Sequence, residues 1–270
     1  MKLGVFLSGA IQTLKNASVP TPALDAEVLA ADILNVDRSW LHAHSEDELT
    51  TKQAKLLLNR VKRRAKHEPI AYIIGRKEFY GREFIVNPDV LVPRPESESI
   101  IELLRILSHH SPHKVNKVLD IGTGSGCIAI SSKLEFPSLD VYATDISNKA
   151  LQTAKINAKN LNANIKFKRQ VLLVEDNNDY DIILANLPYV PEFMQNKSIM
   201  HEPREALYGG TDGMNHYRKL FKQLERKKVR YIMTESLISQ HREIEKLAKL
   251  SNYNLSKTDG LVQLFTKVEA

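Results

Sequence analysis

The sequence predicts an α/β fold: a mostly parallel sheet covered on both faces, with an antiparallel C-terminal hairpin strand and a small N-terminal helical bundle. Three observations predict it. From residue 117 onward, strand-sized apolar runs alternate with stretches of helical period, the pattern of parallel strands joined by helical crossovers. The last two extended runs, 253–256 and 262–267, are joined by Thr258-Asp259-Gly260, which suits a hairpin rather than a crossover. Finally, residues 1–74 carry apolar side chains at spacings of three and four, which stack on one face of a helix.

Taken in order, Leu3, Phe6, Leu7, Ile11 and Leu14 mark the first helix. Thr21-Pro22 opens a second, with threonine as its cap and proline in its first turn. Leu24, Val28, Leu29, Ala31 and Leu34 are its apolar side. A third helix is expected over 47–66 through Leu49, Ala54, Leu57, Leu58 and Val61. Such stripes read as bundle core, with Trp40 lying between helices as an anchor. Residues 70–92 read as extended, punctuated by Gly81 and Asn87-Pro88-Asp89, and imply a hairpin between two domains. Pro93-Arg94-Pro95 ends it, and a helix starts near Ser97. Strands are then expected at 118–121, 141–144, 165–168, 182–185 and 230–234, and helices at 126–134, 148–160, 214–225 and 237–250. This divides the chain into a helical domain at 1–74, a hairpin linker at 75–95 and an α/β domain at 96–270.

Composition narrows the function classes. With 43% hydrophobic residues in 270, the chain can bury a substantial core. No apolar run approaches the roughly 18 residues of a membrane span, and the N-terminus lacks the long apolar region of a secretion signal. No membrane association is expected. A single cysteine, Cys127, excludes an internal disulfide and a cysteine-based zinc site, so no metal is expected and a cytoplasmic setting is. The net charge of +6 and pI of about 9.2 would suit a nucleic acid or an acidic protein partner as well as plain solubility. The densest basic run, Lys62-Arg63-Arg64-Ala65-Lys66, lies on an expected helix and reads as a solvated face.

Two segments carry chemistry. Val118-Leu119-Asp120-Ile121-Gly122-Thr123-Gly124-Ser125-Gly126 is a strand entering a glycine-rich turn, where the backbone can turn sharply and approach a ligand closely. The next strand ends at Thr144-Asp145, and a carboxylate there can accept from both hydroxyls of a ribose. NAD and S-adenosyl-L-methionine share that ribose. Asp120 either holds the turn or faces the positively charged methionine end of a methyl donor. Its acidity suits a sulfonium and an ammonium better than a pyrophosphate, which favours the methyl donor. Cys127 reads as a small apolar residue of the following helix.

The second segment is Tyr180-Asp181-Ile182-Ile183-Leu184-Ala185-Asn186-Leu187-Pro188-Tyr189, a buried strand ending in Asn-Leu-Pro-Tyr. Ligands of doubly wound sheets bind beyond the carboxyl ends of strands, so this tetrapeptide should lie beside the donor. An amide or ring nitrogen shares its lone pair with a π-system and is a poor nucleophile. The Asn186 side-chain oxygen and the Leu187 carbonyl can each accept one of its N–H hydrogens, orienting the nitrogen toward the methyl. Pro188 restricts Leu187 to extended geometry, and the Tyr189 ring can pack on a flat substrate group. No titratable base is required if the proton leaves after the methyl arrives. Taken alone, the tetrapeptide could be a mere turn after a strand; its position after the glycine loop and Asp145 argues otherwise.

These motifs resemble the PrmC/HemK family, the N(5)-glutamine methyltransferases of peptide-chain release factors, along essentially the whole chain. The resemblance includes Glu78-Phe79-Tyr80-Gly81, Val90-Leu91-Val92-Pro93-Arg94-Pro95-Glu96-Ser97-Glu98, and the segment from Glu202-Pro203-Arg204-Glu205-Ala206-Leu207 through Tyr208-Gly209-Gly210-Thr211-Asp212-Gly213. It implies a class I, Rossmann-like methyltransferase fold, a substrate-recognising N-terminal domain, S-adenosyl-L-methionine as donor, and the glutamine of a Gly-Gly-Gln motif as acceptor. By the same resemblance, Gly122, Thr123, Gly124, Ser125, Gly126, Asp145 and Asn186 contact the cofactor. Asn186, Leu187, Pro188 and Tyr189 hold the glutamine amide, and Arg94 and Glu202 support the substrate side. Release factors are then the partners, with no obligatory nucleic acid and a monomer as the working form.

Two positions depart from the family. Leu187 stands where a second proline is usual, which preserves the carbonyl but loosens the loop. Val171 stands at the adenine-side position where an acid is common, so weaker donor binding is expected unless Glu175 or Asp176 replaces it. Rival readings are an adenine-N6 methyltransferase of RNA or DNA, whose loop is similar, and a glutamine methyltransferase of a ribosomal protein, whose linker resembles Pro-Arg-Ser-Pro. A non-catalytic binding module is the rival of another class.

Overall fold

The computed structural model describes residues 1–110, 113–174, 176, 178–194 and 199–268. The chain forms two compact units, residues 1–76 with 196–201, and residues 77–195 with 202–270.

The first unit is helical: α1 (Leu3–Asn16), α2 (Pro22–Leu34), α3 (Arg38–Ala43), α4 (Thr51–Arg64) and α5 (Ile70–Ile74). α1 buries Leu3, Phe6, Leu7, Ala10 and Leu14 against Leu29, Ala30, Leu57 and Val61. α4 begins four residues after the expected start. There Thr50 and Gln53 form a reciprocal capping box, which satisfies backbone donors at the helix end. Leu24 and Leu58, expected on the core faces, are exposed. Thr21 does not cap α2; its hydroxyl donates to Asp25 Oδ1 at 2.8 Å. Asp25 in turn accepts from Arg64 Nε at 2.6 Å.

Two segments differ from expectation. Trp40 lies within α3, whose N-cap Asp37 accepts from Trp40 N. The indole is half-buried and stacks on His44 with centroids 3.9 Å apart. Residues 70–74, expected extended, make the helical turn α5, which ends at Gly75 with φ +84°. Ala71, Tyr72 and Ile73 are buried there: burial of that face outweighs the β preference of the isoleucines.

Next comes a hairpin, β1 (Arg76–Phe79) and β2 (Arg82–Ile85), whose Phe79 and Phe84 enter the core of the second unit. Asn157 pins it, accepting from Ile85 N at 2.8 Å and donating to Ile85 O at 2.9 Å. A 3-10 turn at Pro95–Ser97 leads into α6 (Glu98–His110). Then follow β3 (Lys117–Ile121), α7 (Cys127–Glu135), β4 (Asp140–Asp145), α8 (Asn148–Asn160), β5 (Lys166–Arg169), β6 (Ile182–Ala185), α9 (Arg204–Leu207), α10 (Asn215–Leu224), β7 (Tyr231–Glu235), α11 (His241–Leu250), β8 (Tyr253–Asp259) and β9 (Val262–Lys267).

The seven strands from β3 on form one sheet of order β5-β4-β3-β6-β7-β9-β8. β5 through β7 are parallel, and β9 runs antiparallel to both β7 and β8. Apolar clusters cover both faces. One joins α6 and α7 to the hairpin, the other joins α10 and α11 to Tyr253 and Phe265. This is the mixed sheet the sequence predicts. The strand order reverses between β3 and β6, and such a switch point opens a crevice beyond the strand ends.

Candidate active site

The glycine loop leaves β3 and folds back on β4. Gly122 N and Thr123 N donate to Thr144 O at 2.8 and 2.9 Å. Gly122 and Gly124 have φ of +72° and +55°, a region that favours glycine. Gly124 N then donates to Asp145 Oδ2 at 3.0 Å, while Ser147 N donates to Asp145 Oδ1 at 2.8 Å. These two bonds fix the carboxylate at the end of β4. Burial pushes its pKa up, against the pull of those amides.

Asp120 is buried under the turn and accepts from Thr123 Oγ1 at 2.6 Å. Burial pushes its carboxyl up to about 7. Of the two roles left open for it, holding the turn is the one this geometry serves. Cys127 is buried, and its thiol is pushed up to about 12.

A cleft of about 820 Å³, its open mouth included, lies beyond these strand ends. Gly122, Gly124 and Asp145 form one side, Gln170 and Val171 after β5 another, and Asn186, Leu187 and Pro188 after β6 a third. Asp89, Val90 and Leu91 of the linker and Pro203, Glu205 and Ala206 at α9 complete it, with His216. Asp120, Thr123, Ser125, Gly126, Tyr189, Arg94 and Glu202 do not line its wall.

The 186–189 segment is held from behind. Leu187 N donates to Tyr217 Oη at 3.3 Å, and the Leu187 side chain lies against Gly122, where a β-carbon would meet its Cδ2 at 3.3 Å. Gln240 Nε2 donates to Tyr189 O at 2.8 Å. Val190 bridges to Tyr208, which brings the Gly209-to-Gly213 segment under the loop. Asn186 Nδ2 donates to Ser97 Oγ at 2.9 Å, so the amide is oriented with its oxygen as the remaining acceptor. Among the described residues, no hydrogen-bond donor reaches Asn186 Oδ1 or the Leu187 carbonyl.

Arg94 Nη2 donates to Glu202 Oε1, and Val92 N donates to Glu202 Oε2 at 3.0 Å. The pair ties the linker to the chain before α9. Val171 presents an apolar side chain that is 50% exposed. Of its two possible substitutes, Glu175 lies outside the described residues. Asp176 is buried and accepts from Gln170 Nε2 at 3.1 Å and Tyr180 Oη at 3.0 Å, away from the cleft wall.

Sequence reasoning missed Glu235. It ends β7 fully buried and accepts from Tyr189 Oη at 3.1 Å. The available signal was an acid closing the otherwise apolar run Tyr231-Ile232-Met233-Thr234, at the strand end where sites form.

The residues present fit a nucleoside methyl donor. The φ-positive Gly122 and Gly124 leave a backbone cradle, and an acid stands at the second strand end. Among the described residues, no group of three His, Cys, Asp or Glu could hold a metal ion, and no helix is long and apolar enough to cross a membrane.

Comparisons with known proteins give the family and the fold. Residues 6–75 match the family model described as the PrmC N-terminal domain, and residues 102–206 match that of the methyltransferase small domain. The chain is 41% identical over 231 residues to a release factor glutamine methyltransferase of Koribacter versatilis, covering 83% of this chain and 81% of that one. To the Bacillus subtilis protein of the same name it is 38% identical over 208 residues, covering 74% and 72%. Among solved structures, a methyltransferase from Pyrococcus furiosus superposes with a TM-score of 0.51 at 18% identity, over 81% of this chain and 99% of that one. A ribosomal protein L11 methylase from Lactobacillus delbrueckii gives 0.50 at 18% identity, over 72% and 90%. At such identities the likeness is one of fold.

Proposed function

We infer the reaction of this chain from its family: it belongs to the release factor glutamine methyltransferases, with relatives up to 41% identical across more than four-fifths of its length. The reading is transfer of a methyl group from S-adenosyl-L-methionine to the side-chain amide nitrogen of the glutamine in a release factor's Gly-Gly-Gln motif. The observation that carries it is the placing of the Gly122–Asp145 cradle and the Asn186–Pro188 segment on one cleft.

Bound S-adenosyl-L-methionine supplies an electrophilic methyl on a sulfonium. Gly122 and Gly124 let the backbone approach the donor, and Asp145 accepts from its ribose hydroxyls through lone pairs that Gly124 and Ser147 leave free. Asn186 Oδ1 and the Leu187 carbonyl accept the two amide hydrogens of the substrate glutamine, which turns its nitrogen toward the methyl. Pro188 keeps Leu187 extended, and the Tyr189 ring flanks the carboxamide. Once the nitrogen has been alkylated its proton is acidic and passes to solvent, so the residues need only orient the amide. Thr123, Ser125, Gly126 and Asp120 shape the turn from behind. The Arg94–Glu202 pair ties the linker, whose residues 89–91 line the cleft, to the chain before α9.

The helical first unit is the substrate-recognition domain in this reading. A monomer suffices, no nucleic acid is required, and the setting is the cytoplasm, where release factors work. The release-factor names of several relatives at 38–42% identity favour this over an adenine-N6 or a ribosomal-protein methyltransferase. The test is incubation with labelled S-adenosyl-L-methionine and a release factor, with the methyl mapped by mass spectrometry. Label on the Gly-Gly-Gln glutamine, lost in a Gln→Ala acceptor, is expected. Label on RNA, DNA or another protein in its place would overturn the reading.

A further inference from the structure

Behind the cleft lies a polar cluster that the reaction as described does not use. Glu235 is 1% exposed at the end of β7. Its Oε1 accepts from Tyr189 Oη at 3.1 Å, and its Oε2 is buried with no hydrogen-bond partner. Ser97, 2% exposed, lies against the same carboxylate. Ser97 Oγ accepts from Asn186 Nδ2 at 2.9 Å, which leaves the hydroxyl proton to be donated. Glu235 Oε2 is the neighbouring acceptor without a donor. The main-chain oxygen of Glu235 accepts from Tyr217 Oη, and that same hydroxyl accepts from Leu187 N. Three of the four residues of the Asn186–Tyr189 segment thus connect to one buried residue.

We propose that Glu235 is a positioning residue for methyl transfer, its carboxylate holding the Asn186 amide through Ser97 and the Tyr189 ring through its phenol. The proposal rests on the reading of the cleft given above. Glu235 is buried and does not line the cleft, so it acts on the amide only through its neighbours and not as a proton acceptor. With Nδ2 fixed on Ser97, the Asn186 side chain cannot flip its amide, and its oxygen stays turned to the substrate. A negative charge at the far end of the chain Asn186 → Ser97 → Glu235 also polarises that oxygen into a better acceptor. A buried carboxylate with no cation beside it weakens a fold, so a role in orienting others accounts for a group that packing alone would disfavour.

The carboxylate form is required, which sets a pH dependence. Burial raises the pKa of Glu235 above the usual carboxylate range, and Glu96 adds to the rise. Ser97, Tyr189 and Asn186 oppose it. Tyr217 is also buried beside it, with its phenol pushed far up, and Arg94 acts on Tyr189. As pH falls through the raised pKa, Glu235 takes up a proton and kcat should fall, giving an acid limb.

The experiment compares wild type, Glu235→Gln and Ser97→Ala. In Glu235→Gln, kcat should fall about ten- to a hundredfold, the size of a small misplacement of reacting groups. KM for the release factor and donor affinity by calorimetry should be unchanged, and the acid limb of kcat should vanish. Without donor or substrate, the Asn186 side-chain amide resonances should titrate with pH in wild type, and lose that titration in both variants. Unchanged kcat with the acid limb intact, or Asn186 resonances that do not titrate in wild type, would overturn the proposal. If Glu235→Gln fails to fold by circular dichroism, Ser97→Ala decides: kcat must fall with donor affinity retained, and a wild-type kcat sinks the idea. If wild type methylates no release factor, the functional reading fails, whereas the donor-free resonances still report on the Asn186–Ser97–Glu235 link.

Discussion

Asp120 shows how one buried side chain couples this site to the stability of the molecule. Its folded pKa of about 7 lies above the ordinary 3.8 because burial disfavours the charge. A raised acid pKa means that the folded state binds the extra proton, so its contribution is complete below about pH 4 and is lost as pH rises through 7. Asp145 and Glu235 are raised as well and act in the same sense, whereas Asp212, lowered to about 2 by Arg218, stabilises above about pH 4 and loses that contribution as pH falls through 2. Asp120→Asn should therefore raise the melting temperature more at pH 8 than at pH 5, and least below pH 4. A difference that is the same at both pH values would show that the carboxyl is not strained by burial. Val171 is the complementary case on the cleft wall. Its apolar, half-exposed side chain and the commitment of Asp176 to Gln170 and Tyr180 leave the cleft wall just after β5 without an acid among the described residues. Val171→Asp should tighten donor binding roughly tenfold, the value of one added hydrogen bond to a charged group, as read by calorimetry. An unchanged dissociation constant would show the lost acid to be immaterial.

At the scale of elements, the segment after α9 determines where the 186–189 loop lies. Gly213 has φ +79°, and a β-carbon there would fall 2.0 Å from Tyr189 O and 2.4 Å from Gln240 Nε2. Gly213→Ala should push the loop off its seat, lowering kcat by roughly a hundredfold and stability by about 1–3 kcal/mol, read from kinetics and a denaturation midpoint. A normal kcat would free the loop from this support. How legible an element was depended on what stabilises it. β6 and α8 fall at the residues expected, Ile182–Ala185 and Asn148–Asn160, because a continuous apolar run or an amphipathic stripe is decided locally. α3 and α9, six and four residues long, are too short for a period to show. α5 reads as a strand from its isoleucines, and only burial of its face makes it helical. Of the site, the glycine turn and Asn186–Tyr189 were legible because each is contiguous. The partners that fix them, Ser97, Tyr217, Glu235 and Gln240, arrive from distant segments, and no local pattern pairs them.

At the scale of the whole molecule, the cleft depends on the strand order of the second unit. Placing β3 between β4 and β6 brings Gly122, Asp145 and Asn186 from three crossovers to one cleft, all within residues 77–195 and 202–270. In the proposed reaction Asp145 serves donor binding and Asn186 orients the amide, so the two are separable by mutation. The single-turnover rate of methyl transfer by Asn186→Ala, at saturating S-adenosyl-L-methionine with a release factor as acceptor, tests this most directly. The account predicts a fall of about 100- to 1,000-fold, as for removal of one preorganised polar contact to the reacting group, with donor still bound. A rate equal to wild type would contradict it.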